Sequence, residues 1–101
     1  MPIGGDIYPW TEDNVNAVRQ QAGVYALYDG NQVLIYIGSS NNIRERFQGY
    51  WNSNFEEDSC KRDTRYYRRE YIDSYEHRET ELLQEYRIRH GRLPRCNERI
   101  P

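Results

Sequence analysis

The stretch Gly23-Val24-Tyr25-Ala26-Leu27-Tyr28-Asp29-Gly30-Asn31-Gln32-Val33-Leu34-Ile35-Tyr36-Ile37-Gly38 reads as a β-hairpin. Its arms, near 23–29 and 32–38, are rich in β-branched and aromatic residues, and Gly30-Asn31 supplies a two-residue turn. That turn sets Tyr25 directly opposite Tyr36 on one face, where paired Cβ atoms lie about 4.5–5.5 Å apart. Leu27, Leu34 and Gly38 share that face. The other face carries Val24 with Ile37, Ala26 with Ile35 and Tyr28 with Val33, an apolar set suited to a core. A slip by one residue would send each set to the wrong side. Tyrosine favours strands in any case, and this chain has 10 Tyr, so the pair acquires meaning only from what surrounds it.

On the N-terminal side, residues 1–10 look irregular. Thr11 can cap a helix over about 12–21 with Val15 and Val18 inward. After the hairpin, Ser39, Ser40, Asn41 and Asn42 offer N-caps for a helix near 42–50. Residues 51–64 are polar and aperiodic, a loop of the length that is functional or disordered. Residues 65–72 suit a third strand. Asp73 with Glu76 makes a capping box for a helix to about His90, which Gly91 and Pro94 end. The pattern predicts an α/β chain of the α+β type, a small three-stranded antiparallel sheet flanked by helices, as one domain over 1–101. It has no internal repeat and no low-complexity segment.

Composition bounds the function. A chain of 101 residues supports one core, not two. No apolar run is long enough for a transmembrane helix, and Met1-Pro2-Ile3-Gly4-Gly5 lacks the features of a signal peptide. Cys60 and Cys96 have no metal-ligand spacing and read as free thiols of a cytoplasmic protein. The net charge is −2, against indiscriminate binding to nucleic acid. Its distribution is uneven: residues 1–60 carry three Arg against eight acids (net −5), and 61–101 carry eleven Lys+Arg against eight acids (net +3). All the basic residues but Lys61 are arginines, and arginine grips phosphate with a bidentate fork.

Helical geometry then selects side chains. At about 100° per residue from Tyr75, the residues Leu82, Leu83 and Tyr86 form one apolar stripe. Glu79 falls inside it, whereas Glu81 and Glu85 point away. An inward carboxylate is costly unless it is paired or binds a metal, so Glu79 is either a metal or catalytic ligand or half of a buried ion pair with an arginine. On the preceding helix Ile43, Phe47 and Tyr50 face inward, and Arg46 lies at the border beside Tyr50, able to reach a cleft along its apolar stem. Arg44 holds the opposite border. His77 and His90 lie on different sides of their helix and form no ligand pair. Gly4-Gly5 lacks the strand and Gly-Lys-Ser/Thr context of a phosphate loop.

The set Gly23-Val24-Tyr25, Tyr36-Ile37-Gly38-Ser39-Ser40, Arg46, Tyr50, Glu79 with Leu82 and Leu83, and Pro94-Arg95-Cys96-Asn97 resembles the GIY-YIG nuclease family. That family includes phage homing endonucleases, certain restriction enzymes and the nuclease domain of the bacterial excision-repair incision subunit. The resemblance spans 23–97. Val24 replaces the isoleucine of the first motif. Ser39 stands where some members have lysine, and the Glu79 to Asn97 interval is longer than in compact members.

The resemblance implies a metal-dependent DNA endonuclease with Tyr25, Tyr36, Arg46, Tyr50, Glu79 and Asn97 in its site. Glu79 would bind one divalent ion, Mg²⁺ or Mn²⁺, Arg46 would meet the charge building at phosphorus, and Tyr25 or Tyr36 would take a proton from water. A free phenol has a pKa of about 10, so that base needs a nearby cation. Ser39, Arg44, Arg87 and Arg89 are further candidates for phosphate contact. The implied partner is double-stranded or branched DNA, with a homodimer or partner protein supplying specificity, since relatives carry a separate DNA-binding domain. Two alternatives stand beside it: an inactive nucleic-acid-binding module of this fold, and an unrelated small Tyr- and Arg-rich protein-interaction domain, in which Tyr25, Tyr36, Arg46 and Glu79 need not converge on one cleft.

Overall fold

The computed structural model describes residues 2–101. Its elements are β1 (Tyr8–Pro9), α1 (Glu12–Ala17), β2 (Gly23–Tyr28), β3 (Leu34–Ser40), α2 (Ile43–Ser53), a 3₁₀ turn (Ser59–Asp63), β4 (Tyr66–Tyr71) and α3 (Tyr75–His90). The sheet is antiparallel throughout and has four strands in the order β1-β4-β2-β3, not three. The extra strand comes from the segment expected to be irregular, where Tyr8 and Pro9 pair with Tyr67 and Tyr66 at the edge. Proline is tolerated there because an edge strand leaves some N–H positions unused.

Strand β2 lies inside the sheet, and all six of its residues are buried. Both faces are covered, which its nearly unbroken apolar run requires. On one face Tyr25, Leu27, Ile35 and Tyr67 pack with Val15, Val18, Ile43, Phe47 and Phe55 beneath α1 and α2. On the other, Val24, Ala26, Tyr28 and Ile37 pack with Leu82 and Leu83 of α3.

The hairpin register differs from the expected one. Tyr25 pairs with Gly38, Ala26 with Ile37 and Leu27 with Tyr36. The turn is not Gly30-Asn31 alone. The Asp29 carboxylate accepts the N–H groups of Asn31 and Val33, Asp29 pairs with Val33, and Gln32 takes a left-handed φ of 60°. This is a three-residue loop with an αL residue closing it. A bulge follows, so that Tyr28 pairs with Leu34 and Ile35 is the extra residue. Relative to expectation the register moves by two, an even number, so Tyr25 and Tyr36 keep their common face. The bulge exchanges Ile35 and Leu34 between the two faces.

Two glycines make this packing sterically feasible. A Cβ on Gly38 would sit 2.5 Å from the Tyr25 hydroxyl, and one on Gly23 would sit 2.2 Å from the Glu70 carbonyl oxygen. The Tyr25 ring thus lies over the space that Gly38 leaves.

Other boundaries moved for local reasons. Helix α1 is capped by Thr11 but ends at Ala17, because the Val18 carbonyl accepts from Arg44 Nε and the Arg19 N–H goes to the Tyr71 hydroxyl. Asn42 caps α2, which runs on to Ser53. Asn54 and Phe55 then take φ values of 49° and 55°. A left-handed phenylalanine costs roughly 1–2 kcal/mol, offset by burying its ring against Trp10 and Tyr50. The region 51–64 is therefore largely structured, with Phe55, Lys61 and Thr64 buried. The expected Asp73–Glu76 capping box is not formed; Ser74 is the N-cap of α3, without a side-chain bond. Gly91 ends α3 in the left-handed region. Cys60 and Cys96 are not free thiols but a disulfide, which removes the thiol argument for a cytoplasmic location. Among the described residues no helix is long and apolar enough to cross a membrane.

Candidate active site

The tyrosines of the two hairpin motifs meet, although they do not pair: their ring centroids are 6.1 Å apart. Tyr25 is fully buried, and its hydroxyl lies 2.6 Å from that of Tyr50, which α2 swings over the same face. Burial pushes the Tyr25 phenol well above its ordinary range, with Tyr50 and Tyr36 adding to the effect and Arg46 opposing it. Arg46, one helical turn before Tyr50, lies beside both phenols. Partial burial disfavours its charge, but Tyr25 and Tyr50 outweigh that, so its guanidinium stays firmly protonated.

Tyr36 is less buried and faces a cavity of about 520 Å³ that it lines with Asp58, Lys61, Glu79, Asn97 and Arg99. Burial raises its phenol pKa, as does Tyr50; Lys61 works against them, and Glu79 adds a small upward push. Glu79 reaches this cavity from α3 and accepts a 2.8 Å hydrogen bond from Ser39 Oγ. Among the described residues no lysine or arginine forms an ion pair with Glu79, which argues against the buried-pair alternative. A second cavity of about 640 Å³ holds Arg46, Tyr50 and Ser40, with Glu45 and Glu56 at its rim, and shares Asp58 and Lys61 with the first.

Asn97 does not enter as a free polar group. Its Oδ1 accepts the Ile37 N–H and its Nδ2 donates to the Ile37 carbonyl, both at 2.9 Å. The amide acts as a one-residue neighbour to edge strand β3 and pins the residue between Tyr36 and Gly38.

Residues 21–91 match the family model for the GIY-YIG catalytic domain. The chain belongs to the GIY-YIG family. This domain is also similar to the UvrABC system protein C of Colwellia psychrerythraea (strain 34H), at 39% identity over 41 residues. That match covers 41% of this chain and 6% of the relative, so the chain spans only a small part of that protein's length.

The GIY-YIG domain brings Tyr36, Arg46, Tyr50, Glu79 and Asn97 to the walls of two adjoining cavities, with Ser39 bonded to Glu79; Tyr25 lines neither and reaches them only through its bond to Tyr50. The other phosphate candidates lie elsewhere. Arg44 is tied to the Val18 carbonyl, Arg87 is exposed, and Arg89 lines a separate apolar cavity with Tyr86 and Leu34. Lys61 went unrecognised in the sequence as a site residue. Its Nζ lies 3.7 Å from the Tyr36 ring centroid and 3.4 Å from the Tyr50 hydroxyl. The available signal was that it is the single lysine in a chain whose other cations are arginines.

The donor set has a defined capacity for metal. Among the described residues no group of three or more His, Cys, Asp or Glu converges, so a protein cage is not built. Glu79, which shares its cavity with Asp58 and Glu98, could still serve Mg²⁺, an ion that typically takes one or two carboxylates and completes its shell with water and substrate phosphate.

Proposed function

We propose that this GIY-YIG domain is a metal-dependent DNA endonuclease that hydrolyses phosphodiester bonds. The observation that carries the reading is the convergence of Tyr36, Glu79 and Asn97 on one cavity, joined through Lys61 to the cavity of Arg46 and Tyr50. DNA as the substrate class rests on membership in a nuclease family.

The residues divide the work. Arg46 is a permanent cation suited to hold the phosphoryl oxygens as negative charge builds. Of the two motif tyrosines, Tyr36 is the better base, because it borders a cavity that admits water whereas Tyr25 has no exposed surface. Its phenolate is the minor form, since burial favours the phenol, so nearby positive charge is needed to make it available. Tyr36 takes one proton as the water oxygen bonds to phosphorus, and the bond to the leaving oxygen breaks. A divalent ion held by Glu79 would supply Lewis-acid charge there. Tyr50 and Tyr25 hold one another and present Arg46. Asn97 is a positioning residue for β3.

The inward Glu79, with a serine partner and no cation, favours catalysis over a purely binding module, which has no need of it. The test is nicking of supercoiled plasmid with Mg²⁺ or Mn²⁺ by the wild type and by Glu79→Gln. Glutamine can still accept from Ser39, so the variant should fold normally, as circular dichroism would show. It should lose nicking by at least about 10²-fold, the scale of one electrostatic contact to a transition state. Unchanged metal-dependent nicking by this variant would sink the proposal.

A further inference from the structure

We infer that Lys61 is a catalytic residue of this site, donating its ammonium to the phosphate that lies between Arg46 and Glu79; the inference rests on the nuclease reading above. Lysine is rarely buried, yet Lys61 is 8% exposed. Its partners do not account for that burial. The Asp58 carboxylate is 3.5 Å away and itself partly exposed, and the Tyr50 hydroxyl is at 3.4 Å. Both contacts lie at the long end for hydrogen bonds, where good ones are below about 3.2 Å. The remaining neighbours are ring faces, Tyr36 at 3.7 Å and Tyr50 at 5.1 Å from Nζ, which attract a cation but do not neutralise it.

Burial acts to lower the lysine pKa, but Tyr50, Tyr36 and Asp58 prevail, and the group stays charged. A charged ammonium with three donors, loosely used, stands in the wall shared by both cavities. A phosphate oxygen bridging those cavities would meet Arg46 on one side, Lys61 between and Glu79 on the other.

The backbone holds Lys61 in place. Asp58 caps the 3₁₀ turn through the Cys60 N–H, Cys60 is bonded to Cys96, and the Thr64 hydroxyl donates to the Lys61 carbonyl at 2.7 Å. Cys96 adjoins Asn97, so one covalent bridge joins the segments that bring Lys61 and Asn97 to Tyr36.

The rival role is structural, with Lys61 merely holding Asp58 and Tyr50. Salt dependence separates the two. In the Glu79→Gln background, anisotropy would follow binding of a fluorescein-labelled DNA duplex across a salt series. Lys61→Met should reduce the slope of log affinity against log salt by about 0.9, the value of one duplex phosphate contact, and Lys61→Arg should restore it. With Glu79 intact, Lys61→Met should lower kcat about 10²–10³-fold with a smaller change in KM. An unchanged slope, or a rate loss that only tracks loss of folded protein, overturns the assignment. Wild type that binds DNA without cutting it defeats the nuclease reading, and the slope still decides the contact. Wild type that neither binds nor cuts defeats both.

Discussion

The hydroxyl of Tyr25, on a strand buried on both faces, lies 2.6 Å from the hydroxyl of Tyr50 on α2. One phenol has no exposed surface and the other is half-buried, so the bond links the sheet interior to the cleft. Tyr25→Phe removes one hydrogen bond, while Tyr50 retains Lys61 and Arg46 as neighbours. The cost should be about 1 kcal/mol, read from urea unfolding. Nicking should fall only about 10-fold, whereas Tyr36→Phe should lose about 10²–10⁴-fold as a general base would. Equal losses would place Tyr25 in the chemistry.

Asn97 and Ile37 exchange two hydrogen bonds. Asn97→Ala should lower stability by about 1–3 kcal/mol and speed hydrogen exchange at the Ile37 amide. Asn97→Asp should not rescue it, because a carboxylate cannot donate to the Ile37 carbonyl. Unchanged exchange at Ile37 would mean that the clamp is absent in solution.

The Cys60–Cys96 bridge closes a loop across a separation of 36 residues. Reduction should lower stability by about 2–4 kcal/mol, seen as a drop in Tm with a thiol reductant. A Cys96→Ser variant should start at the lower Tm and ignore the reductant. Identical Tm values with and without reductant would show that the bridge is not formed in the purified protein.

Alkali should unfold this domain unusually readily. Burial raises the phenol pKa of Tyr25, Tyr28 and Tyr36, and that of Tyr67 to about 12. A raised phenol pKa means that above about pH 10 the unfolded chain has lost a proton that the folded one keeps. The stability is therefore intact below pH 10 and falls as pH rises toward the folded value, by up to about 1.4 kcal/mol per pH unit for each such tyrosine. Urea midpoints should hold to about pH 10 and fall steadily from there toward about pH 12; a flat profile above about pH 10 would contradict the burial of these phenols.

Much of the site was legible because its signals are periodic. The inward placement of Glu79 followed from helical spacing, and Arg46 beside Tyr50 followed from the next helix. The shared face of Tyr25 and Tyr36 survived a wrong turn because strand faces alternate with a period of two and the register error was two. The Leu34 and Ile35 assignments did not survive, since a bulge adds one residue and inverts the alternation. The edge strand at Tyr8–Pro9 has only two residues, too few to show a period.

The sequence by itself determined which way each candidate faces: motif tyrosines on one sheet face, an arginine at a helix edge and a glutamate turned inward. Those are consequences of local geometry, which neighbouring residues set. The tertiary structure alone decided that Tyr25 lies over Gly38, that Cys60 finds Cys96, that Asn97 closes the sheet edge and that Lys61 enters the cleft. Each joins segments distant in the chain or breaks a local period, and such contacts are chosen by packing the whole core, not by spacing along the chain.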